Sequence, residues 1–295
     1  MALARHEKRR AWQLRLILAP SALLLLALYI YPALYSVYLS FTNEALVGRA
    51  AANPSFVGLR NYMRLFSDAG FWNSLWVTLI FVIGSAVIGQ FVLGLVSALI
   101  LRQRVRFRQI FNAIILLPNA VPEVVVGFMW IAMFVGGHRA VLNKVLEPLG
   151  IAPVEWLQTM PLLAIIIVNT WRGIATAMIL MTAGLSSISS EVYEAARMDG
   201  ATRWQIFRRI TMPLLMPTVF LYMLVSTAST MAIFGVIYAL TRGGPGGATE
   251  LISIYIYNQS FAAFQIGYGA AGAVMALLLS IIIGIIYVRT MKVEV

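Results

Sequence analysis

Cysteine is absent from the 295 residues, which removes disulfides, thiolate nucleophiles and Cys-based metal sites together. Histidine is nearly absent. His6 and His138 stand in different segments, too few for a His-centred metal site or catalytic triad. No GxxxxGK[ST] stretch occurs, so the chain has no P-loop with which to bind ATP. Charge is scarce as well: 11% of residues are charged and 61% hydrophobic, where a soluble domain has about 25% and 45–50%. A soluble fold of this length could not bury that much apolar surface, so the composition describes an all-α integral membrane protein. Acids are the scarcer sign, 11 against 22 Lys and Arg, for a net charge of +11. In a soluble chain that excess would suggest nucleic acid, but the placement of the basic residues gives a better account and no nucleic-acid partner is expected.

A bilayer core about 30 Å thick needs about 20 predominantly apolar residues per helix. Six stretches qualify: Leu16–Ser40, Leu75–Leu101, Ile110–Phe134, Leu162–Leu185, Leu214–Leu240 and Tyr268–Val288. The first follows a basic N-terminus, as in a signal peptide. Its apolar run exceeds the roughly 7–15 residues of a signal core and lacks a small-residue cleavage site, so it is read as a spanning helix. Small residues in Gly84–Gly94 and Gly267–Gly272 suit close helix–helix approach. With the N-terminus inside, the inside segments hold Arg5, Lys8, Arg9, Arg10, Arg15, Arg102, Arg104, Arg106, Arg108, Arg197, Arg203, Arg208, Arg209, Arg289 and Lys292. The outside segments hold only Arg49, Arg60, Arg64, Arg139, Lys144 and Arg242. The positive-inside rule therefore places both termini in the cytoplasm. Residues 41–74 and 135–161 read as outer loops with partial structure, and Arg242–Thr249, rich in Gly and Pro, as a flexible connector.

The inner loop after the fourth span, residues 190–213, reads as two short helices meeting at a corner. Ser190 is placed to cap the first, Glu191 and Glu194 lie in its first turn, and Gly200 is placed to end it. Thr202 and Gln205 have capping-box spacing for the second, and Pro213 opens the fifth span. Trp204, Phe207 and Ile210 share a face beside Arg203, Arg208 and Arg209. Such a face suits a protein partner or an interfacial helix on the membrane, and the residues alone leave both open.

The run Glu194-Ala195-Ala196, then Gly200, Ile210 and Met212-Pro213 resembles the EAA loop of binding-protein-dependent ABC importer permeases, with Met212 where the family usually has Leu. Leu93–Leu99, Leu117-Pro118 with Pro122, Gly243-Gly244-Pro245, Phe261 and Gly267-Tyr268 are similar to the carbohydrate-uptake branch, the maltose- and glycerol-phosphate-type first permease. Tyr31-Pro32 and Phe56–Tyr62 fit it more loosely. The resemblance implies a type I importer permease fold with six membrane helices, residues 1–74 forming the tail, first span and outer loop and residues 75–290 the permease domain. It implies as partners a second, homologous permease, a dimer of P-loop ATPases, an extracytoplasmic solute-binding protein and a sugar. It implies no catalytic activity, metal or cofactor in this chain, ATP and Mg being used by the ATPase. The coupling residues it implies are Glu194, Ala195, Ala196, Asp199, Gly200, Trp204, Phe207, Ile210 and Pro213.

Polar residues within the spans are candidates for the solute path: Asn169, Trp171 and Arg172 in the fourth, and Tyr222, Ser226, Ser229 and Thr230 in the fifth. A sugar needs hydroxyl partners and an aromatic plane, and a charge at mid-membrane needs a wet cavity or a partner. Two other readings stand beside this one. Ser and Thr bond their own helix backbone, and Arg172 pairs with Glu123. The competing class is an ion-coupled secondary carrier, for which Glu123 is the one candidate acid and no convincing inverted repeat is present.

Overall fold

The computed structural model describes residues 17–103 and 106–290. Arg5, Lys8, Arg9, Arg10, Arg15, Arg104 and Lys292, which carried part of the orientation argument, lie outside the described residues, as do His6 and Leu16. Among the described residues every regular element is helical, with one isolated bridge between Thr42 and Phe56.

In chain order the main helices are α1 (Ile17–Ser40), α2 (Ala69–Arg102), α3 (Arg108–Ala120), α4 (Glu123–Phe134), α5 (Pro161–Ser186), α6 (Ser190–Met198), α7 (Arg203–Met231), α8 (Gly235–Leu240), α9 (Ile252–Tyr257) and α10 (Ile266–Thr290). Helices α1, α2, α5, α7 and α10 are each long and apolar enough to cross a bilayer alone. The expected third span, Ile110–Phe134, is not one straight helix: α3 and α4 meet at 108°. Proline chemistry explains the break. Val121 precedes Pro122, whose ring disfavours the helical region for its predecessor, and Val121 is extended at φ −90°, ψ 130°. The fifth span also differs from expectation. It ends at Met231, not Leu240: the chain turns out of the helix at Ala232, φ −87°, ψ −4°, and after Phe234, at φ −132°, ψ −56°, α8 starts afresh beside α4.

Two compact units are distinguished by their internal contacts: residues 17–67 with Ile256–Met275, and Asp68–Tyr255 with Ala276 onward. In the first, the apolar window of α1 buries none of its residues against the chain. Asn61 donates from Nδ2 to the carbonyls of Ser40 and Thr42, each at 2.8 Å, and so ties a short helix, Arg60–Phe66, to the end of α1.

In the second unit, Asp68 caps α2 by accepting from the Gly70 amide at 2.8 Å. Lipid is as apolar as leucine, so helices in a membrane associate through close packing rather than through the hydrophobic effect. The α2–α5 contact shows this: a Cβ on Gly94 would collide with the Ala177 side chain. Leu95, Ala98, Met178, Met181, Leu215 and Tyr222 fill one buried cluster, and Val77, Phe81, Val126, Phe134, Ile165, Val236 and Ile237 another.

Residues Arg242–Thr249 are not the loose connector that their composition suggests. Thr249 is buried, and its hydroxyl is shared with Thr241 Oγ1 and the Gly244 carbonyl, both at 2.7 Å. Asn73 Nδ2 donates to the Gly247 carbonyl at 3.0 Å. Glycine-rich sequence here supplies left-handed backbone for a tight fold, at Gly243, Gly246 and Gly247, rather than slack.

Candidate functional site

The 190–213 corner is built by its caps. Ser189, not Ser190, is the N-cap of α6, its hydroxyl accepting from the Glu191 amide at 3.2 Å, while Ser190 is already helical. At the other end Gly200 has φ +77°. The Gly200 amide donates to the Arg197 carbonyl and the Ala201 amide to the Ala196 carbonyl, each at 3.0 Å, the two bonds of a Schellman closure. One residue later the capping box forms. The Thr202 amide donates to Gln205 Oε1 at 2.7 Å and the Gln205 amide to Thr202 Oγ1 at 3.3 Å. The second helix is not a separate short element, however. It runs unbroken through the π-helical turn Phe207–Thr211, past Pro213 in the first turn of the next segment, to Met231. Pro213 lies inside this helix, directly after the π-helical turn, whose altered hydrogen-bond ladder takes up the proline's missing donor, so α7 continues past it.

The corner divides its predicted residues into two sets. Ala196 is buried and Ile210 packs against Ile188, Tyr193, Ala196 and Ile206. These two hold the corner together, Ala196 buried and Ile210 half-buried. Glu194, Ala195, Asp199 and Gly200 are exposed. Trp204 is 66% exposed and stacks on Phe207 at 5.6 Å, and Met198, the last residue of α6, is 88% exposed. Met198 escaped the sequence reading. A large thioether left in solvent at the tip of a short helix was the signal for it.

The second site is a cavity of about 150 Å³ lined by groups from α2, α3, α4, α5 and α7, room for about five waters at liquid density. Asn169, Arg172, Ser226, Ser229 and Thr230, all expected from sequence, line it. Gln90, Asn119 and Thr176 line it too and were missed, although a polar side chain inside an apolar span is itself the signal. Gln90 closes a π-helical segment of α2, Ile83–Gln90, the kind of irregularity that often marks functional positions. Its amide is the hub of the wall. Nε2 donates to the Asn169 carbonyl at 3.0 Å, and Oε1 accepts from Ser226 Oγ at 3.0 Å. Asn169 Nδ2 donates to Ser85 Oγ at 2.9 Å, and Asn119 Nδ2 to Thr176 Oγ1 at 3.2 Å.

Two expected residues are not brought to this cavity. Tyr222 is fully buried and its hydroxyl donates to the Ala86 carbonyl at 2.9 Å, so it is part of the packing between α2 and α7. Trp171 turns to the other side of α5 and meets Trp130 edge-on at 5.6 Å. Ser229 lines the cavity but donates to its own helix, to the Ser226 carbonyl at 3.1 Å. Arg172 donates from Nη1 to Glu123 Oε1 at 3.2 Å, and its side chain is 17% exposed against 43% for Glu123. The bend at Pro122 makes this pair possible, since it starts α4 at Glu123 against the middle of α5.

Gly173 keeps the Gln90 hub in place. A Cβ there would sit on the Gln90 amide group. Gly173→Ala is expected to expel Gln90 and lower stability in detergent by about 1–3 kcal/mol, the usual cost of overpacking. Adding Gln90→Ala should restore part of the lost melting temperature. A Gly173→Ala variant as stable as the parent would show that the hub is not rigid.

Comparison with known proteins agrees with this geometry. Residues 90–290 match the family model described as "Binding-protein-dependent transport system inner membrane component". The trehalose/maltose transport system permease protein MalF of Thermococcus litoralis is 34% identical over 276 residues, covering 93% of this chain and 92% of that one. The multiple sugar-binding transport system permease protein MsmF of Streptococcus mutans is 32% identical over 295 residues, covering 98% and 97%. A chain in the crystal structure of a bacterial ABC transporter involved in the import of alginate shares the fold, with a TM-score of 0.79 at 23% identity and 98% coverage of both chains. A family match over most of the length, together with these near-full-length relatives, means that the chain belongs to the binding-protein-dependent inner membrane components, the permease subunits of ABC importers, and is a transport component rather than an enzyme.

Proposed function

We propose that the chain, with a second homologous permease, forms the membrane path for a sugar, a di- or oligosaccharide or a sugar or polyol derivative. The observation that carries this is the cavity wall of amides and hydroxyls from Gln90, Asn119, Asn169, Ser226 and Thr230 within otherwise apolar spans. Such groups exchange hydrogen bonds with sugar hydroxyls, and the two charged residues that also line the cavity, Arg172 and Glu123, are paired with each other. The names of the relatives, trehalose/maltose and multiple sugar-binding, support the same class. The ion-coupled carrier is set aside. Its one acid, Glu123, is bonded to Arg172, and the family is that of ATP-driven importers.

In this reading an exported binding protein delivers the solute and a P-loop ATPase dimer supplies ATP and Mg chemistry. Residues 75–290 act as the permease domain and residues 1–74 as its appended tail, first span and loop. ATPase closure reaches the spans through the exposed side of the corner, Glu194, Ala195, Asp199, Gly200, Trp204 and Phe207, with Ala196, Ile210 and Pro213 shaping it. Because α7 continues from Arg203 to Met231 without a break, a push at Trp204 is transmitted along one rigid helix to Ser226 and Thr230 at the cavity. Alternation between two access states needs such an element, biased differently by nucleotide and by binding protein.

The test is uptake in proteoliposomes containing the assembled importer. Ser226→Ala and Asn119→Ala should each lower uptake severalfold with assembly and basal ATP hydrolysis retained, while Trp171→Ala should not. Unchanged uptake in both cavity variants would remove this solute path.

Orientation is tested separately. The chain has no native cysteine, so single reporters read without background. Arg106→Cys and Arg203→Cys are expected to be protected from an impermeant thiol reagent in intact cells and Gly246→Cys to react. Labelling of Arg106→Cys from outside would invert the assignment of cytoplasmic termini.

A further inference from the structure

Next to the end of α1 lies a second cavity, of about 230 Å³, lined among others by Glu44, Arg60, Asn61, Arg64, Gln265 and Tyr268. Its position relative to the bilayer follows from α1. The 24 residues of Ile17–Ser40 rise about 36 Å at 1.5 Å each, enough to cross a hydrocarbon core of about 30 Å and bring Ser40 to the headgroup level. The short helix Arg60–Phe66 is fastened at that level. Tyr62 Oη lies 2.6 Å from Ser40 Oγ, and Asn61 bonds the Ser40 carbonyl. This helix is amphipathic. Leu65 is buried, whereas Leu59, Met63 and Phe66, at spacings of four and three, are exposed together with Phe56 just before them.

The charges beside that apolar face are of both signs and do not neutralise each other. Glu44, Arg60 and Arg64 line one cavity without a salt bridge to one another within 4 Å. Arg64 is aimed by its neighbours: Nη1 donates to Gln265 Oε1 at 2.6 Å, and the guanidinium lies 4.2 Å from the centre of the Tyr268 ring. This leaves the other donors of its fork for a further acceptor.

We propose that this cavity binds the headgroup of a zwitterionic aminophospholipid from the leaflet into which the Arg60–Phe66 helix dips. Arg60 and Arg64 take the phosphate, Glu44 takes the ammonium, and Leu59, Met63 and Phe66 lie along the acyl chains. A soluble anion would account for the arginines but not for the apolar face. An anionic lipid without an amine would leave Glu44 facing the phosphate. An interfacial helix with aromatic and aliphatic residues on one face and Arg at its flank has the composition for this depth.

The experiment uses the assembled importer with Met63→Cys, the only thiol in this chain, carrying a bimane label. It is reconstituted in vesicles of phosphatidylcholine that contain a minor fraction of brominated phosphatidylethanolamine, and in the reverse mixture in which the minor brominated lipid is phosphatidylcholine. Bromine quenches bimane on contact. The expected result is quenching in both, and about threefold more by the brominated ethanolamine lipid at equal mole fraction, the size expected of exposed charge pairs. Glu44→Gln should abolish the headgroup preference while leaving quenching itself intact. Arg60→Gln should weaken contact with both lipids. Equal quenching by the two lipids in the parent would overturn the headgroup site. Absence of quenching in both mixtures, or quenching lost on addition of the exported binding protein, would show that the face belongs to a protein partner. Because bimane on position 63 reports on lipid and not on uptake, failure here is distinguishable from failure of the transport reading.

Discussion

Gly200→Val is expected to abolish solute-stimulated ATP hydrolysis by the assembled importer while the chain still inserts. Nothing lies within 4 Å of a Cβ built on Gly200, so the effect is not steric contact with a neighbour. It is conformational. At φ +77° an L-residue places its Cβ against its own backbone at a cost of about 1–2 kcal/mol, and a β-branched one fares worse. The Schellman bonds from Gly200 to Arg197 and from Ala201 to Ala196 then open, and α6 swings away from Thr202, where α7 begins. Gly200→Asn is the control, because Asn visits the left-handed region at lower cost. It should retain most coupling. Glu194→Lys should abolish coupling by another route: the side chain is solvent-exposed, so the fold is unaffected and only the charge offered to the ATPase reverses. Normal coupling in both Gly200→Val and Glu194→Lys would sink the docking assignment.

The second large effect is expected at Arg172. Arg172→Ala leaves Glu123 without its partner, and Glu123→Ala leaves Arg172 with no ion pair in a span. A lone charge at the centre of a helix costs about 2.5–3.5 kcal/mol on insertion scales. Glu123 is 43% exposed to the cavity, so solvent screening reduces the figure on its side, and Glu123→Ala, which strands the less exposed Arg172, should be the more damaging single change. Arg172 Nε is already buried with no hydrogen-bond partner, which leaves the guanidinium dependent on the Glu123 contact at Nη1. Both single variants should assemble poorly. The double variant Arg172→Ala with Glu123→Ala should recover assembly by about tenfold over Glu123→Ala alone, since neither charge is then stranded. Recovered assembly together with lost uptake would give the pair a part in the solute path as well. If the double variant is worse than either single one, the two residues act independently and the pairing is not what holds α4 to α5.

Legibility in the sequence followed the range of the interaction. The Thr202–Gln205 capping box and the glycine stop at 200 depend on residues two or three apart, and both form as the spacing requires. The N-cap was misplaced by one residue, at Ser190 instead of Ser189, because two serines stand side by side and only the geometry of the loop before them selects which one leaves the helix. The apolar windows found α1, α5 and α10 within about two residues at each end, and α2 at its end but not its start, Ala69, six residues before Leu75. The same windows ran through Val121 and Phe234, since average hydropathy does not register a backbone break. Of the cavity residues, Ser226 and Thr230 were legible as one helical face. Tyr222 belongs to the same face by spacing, but its long side chain reaches past the cavity to the Ala86 carbonyl.

Membrane residence, helix content and the corner at 190–213 were determined by the sequence itself, because each rests on composition or on bonds between near neighbours. Tertiary structure alone decided that Gln90, Asn169 and Ser226 form one wall, that Trp171 faces away, and that Glu123 meets Arg172. The physical reason is that a polar group inside an apolar span must find a partner. Which partner it finds depends on where a proline bend and a glycine contact bring the next helix, and neither placement is encoded in the residue's own neighbourhood.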